Sequence, residues 1–232
     1  MPLRNWIESV NNAIDGILHT AKTEKHLRYH LYSATAVLIL SFLLGVSKSD
    51  FLFIAVLVSV VILAEMFNTA IEHTVDILSP EKQNKAKHAK DIAAGAVLIT
   101  AFAAAVIGYV ILFPYIRDAI RDGLSIAKRN PEDVAIVSIS IVVITVVLIK
   151  SHFGKGEPLK GGIPSGHAAL AFSVWIAVSY ITRNLVASVL SFILAAIIAQ
   201  SRVATKTHSA LEVIAGALLG AIITFLLFFF FS

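Results

Sequence analysis

The sequence predicts an all-α, polytopic membrane protein. Three observations carry that prediction: 57% of its 232 residues are hydrophobic, mean hydropathy is +0.83, and the apolar runs approach the length of a bilayer span, parted by short polar turns. Only 15% of residues are charged, which excludes an ordinary soluble domain. Cysteine is absent, so neither a disulfide framework nor thiolate chemistry is available. The formal charge is +4; in so apolar a chain that excess marks cytoplasmic loops, and no nucleic-acid partner is expected.

Residues 1–12 are mixed polar, so no cleavable leader is expected. Across residues 2–23 apolar side chains recur with a helical period, from Trp6 and Ile7 through Ile17 and Leu18, while Arg4, Glu8, Asn11 and Asp15 fall elsewhere. That pattern predicts an amphipathic helix lying at the membrane surface. The first crossing is expected at 31–46 and the second from Phe51 to about Leu78. The second, at ~1.5 Å per residue, is about 42 Å long and outruns a hydrocarbon core of about 30 Å. Pro80 should stop it, the basic stretch EKQNKAKHAK should turn, and the third crossing should occupy 91–116. The polar, charge-balanced stretch after it sets the expected division: one domain at 1–116, a linker at 117–131 and a second domain at 132–232. Four further spans are expected at about 132–151, 165–182, 185–200 and 210–230. The architecture is thus a surface helix with a three-span bundle, followed by a reduced four-span bundle.

Alternating the loops across seven crossings puts thirteen of the nineteen Lys and Arg residues on the side of the N-terminus. That side should be cytoplasmic, and both polar constellations described next open on it.

The first constellation sits where the long second span leaves the bilayer. Glu65, Asn68 and Glu72, three and four apart, share one helix face with Asp76 a step further. An ionisable group as deep as Glu65 is expensive and points to function. Glu24 and Glu72 suit Mg²⁺, which takes oxygen ligands; Glu65 is placed to accept a proton from a lipid hydroxyl, and Lys90 to neutralise phosphate. Arg28 either contacts phosphate or snorkels. His30 and His88 read as interfacial polar residues. No Walker-type glycine loop is present, so a nucleotide site would be unconventional.

The stretch EMFNTAIEHTVD at 65–76, followed by KDIAAGAVLI from Lys90 and preceded by the surface helix and Glu24, resembles the small prokaryotic diacylglycerol kinase family, which includes the undecaprenol kinases. The wording of NTAIEHTVD and of the segment from Glu24 to His30 is closer to the undecaprenol kinase branch. The resemblance implies an ATP- and Mg²⁺-dependent homotrimer. It makes Glu65 the catalytic base, Asn68 a positioning residue, Glu24 and Glu72 the Mg²⁺ ligands, and Lys90 and Asp91 nucleotide-site residues.

The second constellation joins KGGIPSGH at 160–167 to SRVATKTHSALE at 201–212. His208 and Glu212 lie one helical turn apart, so the carboxylate can accept a hydrogen bond from the imidazole and fix its tautomer. His167 opens a helix beginning at Pro164-Ser165, where free N–H groups and the Ser165 hydroxyl suit an oxyanion. Arg202 adds a two-pronged donor. These residues resemble the type 2 phosphatidic acid phosphatase superfamily in its PSGH and SR-x5-H-x3-D motifs. That resemblance implies a phosphohistidine on His208, His167 as the acid, and phosphate held by Ser165, Gly166 and Arg202, with no cofactor. Two departures stand out: Glu212 replaces aspartate, and no lysine is followed after six residues by Arg-Pro. Lys155 or Lys160 is expected to stand in for the missing element, with Lys150 the loop's third lysine.

The expected function is therefore bifunctional, in a bacterial inner membrane: phosphorylation of a lipid alcohol, undecaprenol favoured, and hydrolysis of a lipid phosphate or diphosphate, undecaprenyl diphosphate favoured. Both reactions would yield undecaprenyl phosphate. Two other readings use the same residues. One is phospholipid metabolism, pairing a diacylglycerol kinase with a phosphatidate or phosphatidylglycerophosphate phosphatase. The other is a phosphatase carried on an inactive trimerising scaffold.

Overall fold

A computed structural model describes residues 2–79, 81, 83–122, 128–153 and 162–232. The described residues form eight α-helices: α1 Pro2–Thr23, α2 Lys25–Leu43, α3 Lys48–Leu78, α4 Asn84–Asp122, α5 Pro131–Phe153, α6 Gly166–Thr182, α7 Leu185–Ala204 and α8 Ala210–Phe231. The all-α, multi-pass class is as expected. Among the described residues five helices are long and apolar enough to cross a membrane, namely α3, α4, α5, α7 and α8. The apolar α6 has 17 residues, and α2, expected to cross, is not among the five. The helices fall into two compact units, Thr23–Ala127 and a second made of Met1–Lys22 with Lys128–Ser232.

In the first of these units α3 packs on α2 and α4. Ser47 caps α3 by accepting from the Asp50 N–H, and Asp50 puts negative charge on the first turn, where the helix dipole favours it. Tyr115 of α4 donates its hydroxyl to Asp50 Oδ2 at 2.6 Å, fastening the α2–α3 turn to α4. The long α3 is as expected, but α4 is not: it starts at Asn84 and runs through Pro114 to Asp122. The stretches NKAKHAK and RDAIRD are polar, which reads as turn and linker, yet their lysines, arginines and alanines favour helix. Polarity there marks solvent, not the end of the helix.

In the other unit α6 packs on α5 and α7 and is crossed most extensively by α8. The contact of α8 with α6 is as close as backbones allow. A Cβ at Gly216 would overlap the Ser165 carbonyl, and one at Gly220 the Ala169 carbonyl. Small residues at such crossings let helices gain dispersion contacts where lipid leaves no hydrophobic drive. Buried Ser173 and Thr224 share a hydrogen bond of 2.7 Å across the same seam. The Arg129 N–H donates to the Phe231 carbonyl at 2.6 Å, tying the approach to α5 to the far end of α8. Helix bounds here match the expectation to within a few residues, because strong punctuation sets them: Pro131 opens α5, Ser165 precedes α6, and Asn184 caps α7 by accepting from Val186 and Ala187.

Candidate active sites

Between the ends of α7 and α8 the chain folds back on itself. The Arg202 carbonyl accepts from the N–H groups of Thr207 at 3.2 Å and His208 at 3.1 Å, and Lys206 takes a left-handed φ of 54°. This turn delivers His208, buried at 5% exposure, to the head of α8. His208 Nδ1 lies 2.9 Å from Glu212 Oε2. The same Oε2 accepts from the Ser209 N–H at 3.0 Å while Ser209 Oγ accepts from the Glu212 N–H, a complete capping box. Glu212 Oε1 accepts from the Gly162 N–H at 3.0 Å, and the Glu212 carbonyl accepts from the Ser165 N–H at 2.9 Å. One carboxylate thus orients the imidazole, starts a helix and holds the PSGH loop, where Gly162 has the left-handed φ of 85° that suits glycine. Glutamate at this position has a reason: a capping box needs the longer side chain to reach back three residues.

Burial pushes the His208 imidazole below its ordinary pKa, while the Glu212 hydrogen bond works in the opposite direction. His167 is exposed at the start of α6 and feels the charges of Arg202, His208 and Lys150. Ser165 is fully buried and its hydroxyl has no hydrogen-bond partner. Gly166, His167 and His208 line one cavity of about 230 Å³ together with Lys150. The expected residues of this constellation therefore converge, except that Lys155 and Lys160 lie outside the described residues.

Lys150 is the residue that sequence reasoning passes over. It is 8% exposed at the end of α5, an unusual place for a lysine. The signal was in the sequence: Lys150 is followed after six residues by Glu157-Pro158, so the motif taken as missing lacks only its arginine.

In the other unit, Glu65 is buried at 4% exposure on α3. His30 Nε2 stands 4.0 Å from Glu65 Oε2, and the charges of His26, Glu24 and Glu72 also act on this carboxyl. Asn68 Nδ2 donates to Glu72 Oε1 at 2.9 Å, whereas Asn68 Oδ1 is buried without a partner. Glu24 interrupts the chain between α1 and α2, and its side chain makes no cap bond. Among the described residues no three His, Asp or Glu side chains are gathered closely enough to hold a metal. Lys90 pairs with Asp76, and both line a cavity of about 600 Å³ at the α3–α4 turn with Lys87 and Asn84. Asp91 is exposed on α4, outside that lining, and Arg28 is half-buried on α2. A second, strongly apolar cavity of about 500 Å³ runs between α2, α3 and α4, with His30 among its lining residues. His30, read from sequence as an interfacial polar residue, thus stands beside Glu65.

Residues 11–112 match the prokaryotic diacylglycerol kinase family, and residues 147–232 match the PAP2 superfamily. Undecaprenol kinase of Bacillus subtilis is 40% identical over 112 residues, 48% of this chain and 91% of that protein. Diacylglycerol kinase of Synechocystis is 33% identical over 47% of this chain and 63% of its own length. Diacylglycerol kinase of Haemophilus influenzae is 28% identical over 42% of this chain and 82% of its own. No solved structure matches. The chain belongs to the prokaryotic diacylglycerol kinase family and joins that lipid kinase, in one membrane polypeptide, to a lipid phosphatase of the PAP2 superfamily.

Proposed function

We propose that the two halves make one product, undecaprenyl phosphate, from two directions: phosphorylation of undecaprenol by ATP and hydrolysis of undecaprenyl diphosphate. The observation that carries a two-centred reading is that each unit pairs a carboxylate with an imidazole beside an apolar cavity, Glu65 with His30 and Glu212 with His208. Undecaprenol is favoured as the alcohol because the Bacillus subtilis relative of that name is the one at 40% identity. Converging on one product also avoids the idle ATP hydrolysis of a kinase and phosphatase working one lipid in opposite directions.

In the phosphatase half His208 is the nucleophile. Its Nδ1–H donates to Glu212, leaving the Nε2 lone pair free, and burial keeps the ring neutral near pH 7. Nε2 attacks the terminal phosphorus, the bond to the leaving lipid phosphate breaks, and His167 gives that oxygen its proton. Water then attacks the phosphohistidine while His167 takes a proton back, releasing inorganic phosphate and restoring His208. Lys150, Arg202, the Ser165 hydroxyl and the Gly166 N–H hold the phosphoryl oxygens, with Lys155 and Lys160 as further cations of the loop.

In the kinase half Glu65 takes the proton of the lipid hydroxyl, and the freed oxygen attacks the terminal phosphorus of ATP, releasing ADP. The apolar cavity beside His30 takes the chain of the alcohol. Glu24 and Glu72 are the hard-oxygen groups that would hold Mg²⁺ on a bound nucleotide, and Asn68, bonded to Glu72 and with its own oxygen unpartnered, would position them. Bound there, Mg²⁺ would draw charge from the transferring phosphoryl group. Lys90, Asp91 and Arg28 serve the nucleotide end. The kinase half works as a homotrimer, and exposed Phe67, Phe102 and Tyr109 are among the apolar residues available to a second copy or to lipid. The protein sits in a bacterial inner membrane with seven crossings, the domain division falls at 117–131, and both centres open to the cytoplasm.

The decisive experiment is a crossed assay on wild type, Glu65→Gln and His208→Ala. ATP is supplied with undecaprenol or diacylglycerol; undecaprenyl diphosphate, phosphatidate and phosphatidylglycerophosphate are supplied separately. Each substitution should remove one activity and spare the other, with the undecaprenyl substrates preferred. Phosphate release from phosphatidate or phosphatidylglycerophosphate with undecaprenyl diphosphate left intact would overturn the convergence. Absence of ATP consumption with either alcohol would leave the first half a scaffold.

A further inference from the structure

The phosphatase cavity has a wall from an unexpected part of the chain. Beyond Lys150, His167 and His208, its lining includes Ile14, Ile17 and Leu18 of α1. These three residues fall inside the stretch matched to the kinase family, yet α1 clusters with the phosphatase helices through Lys22. Leu18 and Ala21 are buried at 4% and 0% exposure and seat the helix, whereas Ile14 and Ile17 keep 38% and 37% of their surface open. The charges of Asp15 and Lys22 act on Lys150, so the helix reaches the polar end as well as the apolar one. Asp15 Oδ1 is buried there without a hydrogen-bond partner.

We propose that α1 is the chain-binding wall of the phosphatase: Ile14 and Ile17 cover the carbons next to the phosphate of a lipid phosphate, while its head lies against His208, His167 and Lys150. This inference rests on the phosphatase reading above and adds its specificity element. A small phosphate ester uses only the polar end of the cavity; a lipid phosphate also uses α1, which gives preference for a chain without altering the reacting groups. The helix with the kinase ancestry is then a working part of the other enzyme.

The absence of cysteine permits a direct test. Purified full-length protein carrying Ile17→Cys, or Asn12→Cys on an exposed α1 position outside the cavity, is labelled with a maleimide in detergent. Dodecyl phosphate should slow labelling of the Ile17→Cys protein at least fivefold, inorganic phosphate should not, and Asn12→Cys should react equally fast throughout. In parallel, Ile14→Ala with Ile17→Ala should raise KM for dodecyl phosphate severalfold with kcat within twofold, and raise KM for phenyl phosphate less. Equal slowing at both positions, or no slowing in protein that still hydrolyses dodecyl phosphate, overturns the inference. A His208→Ala protein that hydrolyses dodecyl phosphate at the wild-type rate overturns the phosphatase reading beneath it, whatever the labelling shows. The labelling arm stands even where the double variant fails to fold.

Discussion

The two acid–imidazole pairs differ in how tightly they are held. Glu212 is fixed through three hydrogen bonds to its side chain, including His208 Nδ1 at 2.9 Å. Glu65 faces His30 at 4.0 Å, and the neighbouring Asn68 leaves its buried oxygen unpartnered. The difference suits what each reaction brings. On the proposed mechanism the phosphatase brings its own histidine, so the backbone can fix the acid–imidazole pair in advance, while the unpartnered Ser165 hydroxyl is left for the phosphate. On the proposed kinase reading, the looser pair and the open Asn68 oxygen are left for a nucleotide and its cation to complete.

The contrast can be broken by substitutions, taken from the strongest effect down. His208→Ala should cut phosphate release from the lipid diphosphate by at least about a thousandfold, measured in single-turnover assays, because on the proposed mechanism His208 carries the covalent intermediate. Glu65→Gln should lower lipid phosphorylation by ~100-fold to ~10,000-fold, the span of a lost general base, with phosphate release unchanged in the same preparation. If either substitution silences both reactions in folded protein, the two centres are not independent.

Glu212→Asp sharpens the comparison. Restoring the superfamily's usual aspartate should slow phosphatase turnover about tenfold, a loss of about 1.4 kcal/mol, because the shorter acid cannot both cap α8 and hold His208. The change should appear in kcat and leave the kinase untouched. Gly220→Ala places a methyl group against the Ala169 carbonyl and should cost about 1–3 kcal/mol, read as a lowered melting midpoint in detergent.

The gentlest test is the pH profile. His208 has its pKa lowered mainly by burial and raised in part by Glu212. The folded protein binds this proton less readily than the unfolded chain, so the contribution to stability is present above the unfolded pKa and is lost as pH falls through the folded one. Phosphatase activity should fall on the same acidic side, as the nucleophile is protonated. Glu212→Gln removes the raising influence, so the acid limb of kcat/KM should move to lower pH; a move to higher pH would refute the assignment.

Much of this was legible in the sequence, and the exceptions have physical causes. The helices from Pro131 onward could be bounded because proline, asparagine and serine mark their ends. The His208–Glu212 hydrogen bond was readable from their spacing, and the cavity shared by His167 and His208 from the two motifs that carry them, as was the helix that bears Glu65, Asn68 and Glu72. The reach of α4 was hidden because solvated turns and solvated helix are both polar. Lys150 was hidden because burial of a lysine depends on helices that meet only after folding, and because Glu157 stands where the motif has arginine. The amphipathic pattern of α1 told which face wants cover but not which helices provide it.

The capping box at Ser209 has a consequence for how this enzyme fails. Because the carboxylate that starts α8 is the one that aims His208, fraying of a single helical turn would disarm the proposed nucleophile while the rest of the bundle stands. Gentle heating should therefore extinguish phosphate release before helical circular dichroism declines. On that expectation the first turn of α8 would act as a fuse, and phosphate release that persists until the helical signal is lost would rule it out.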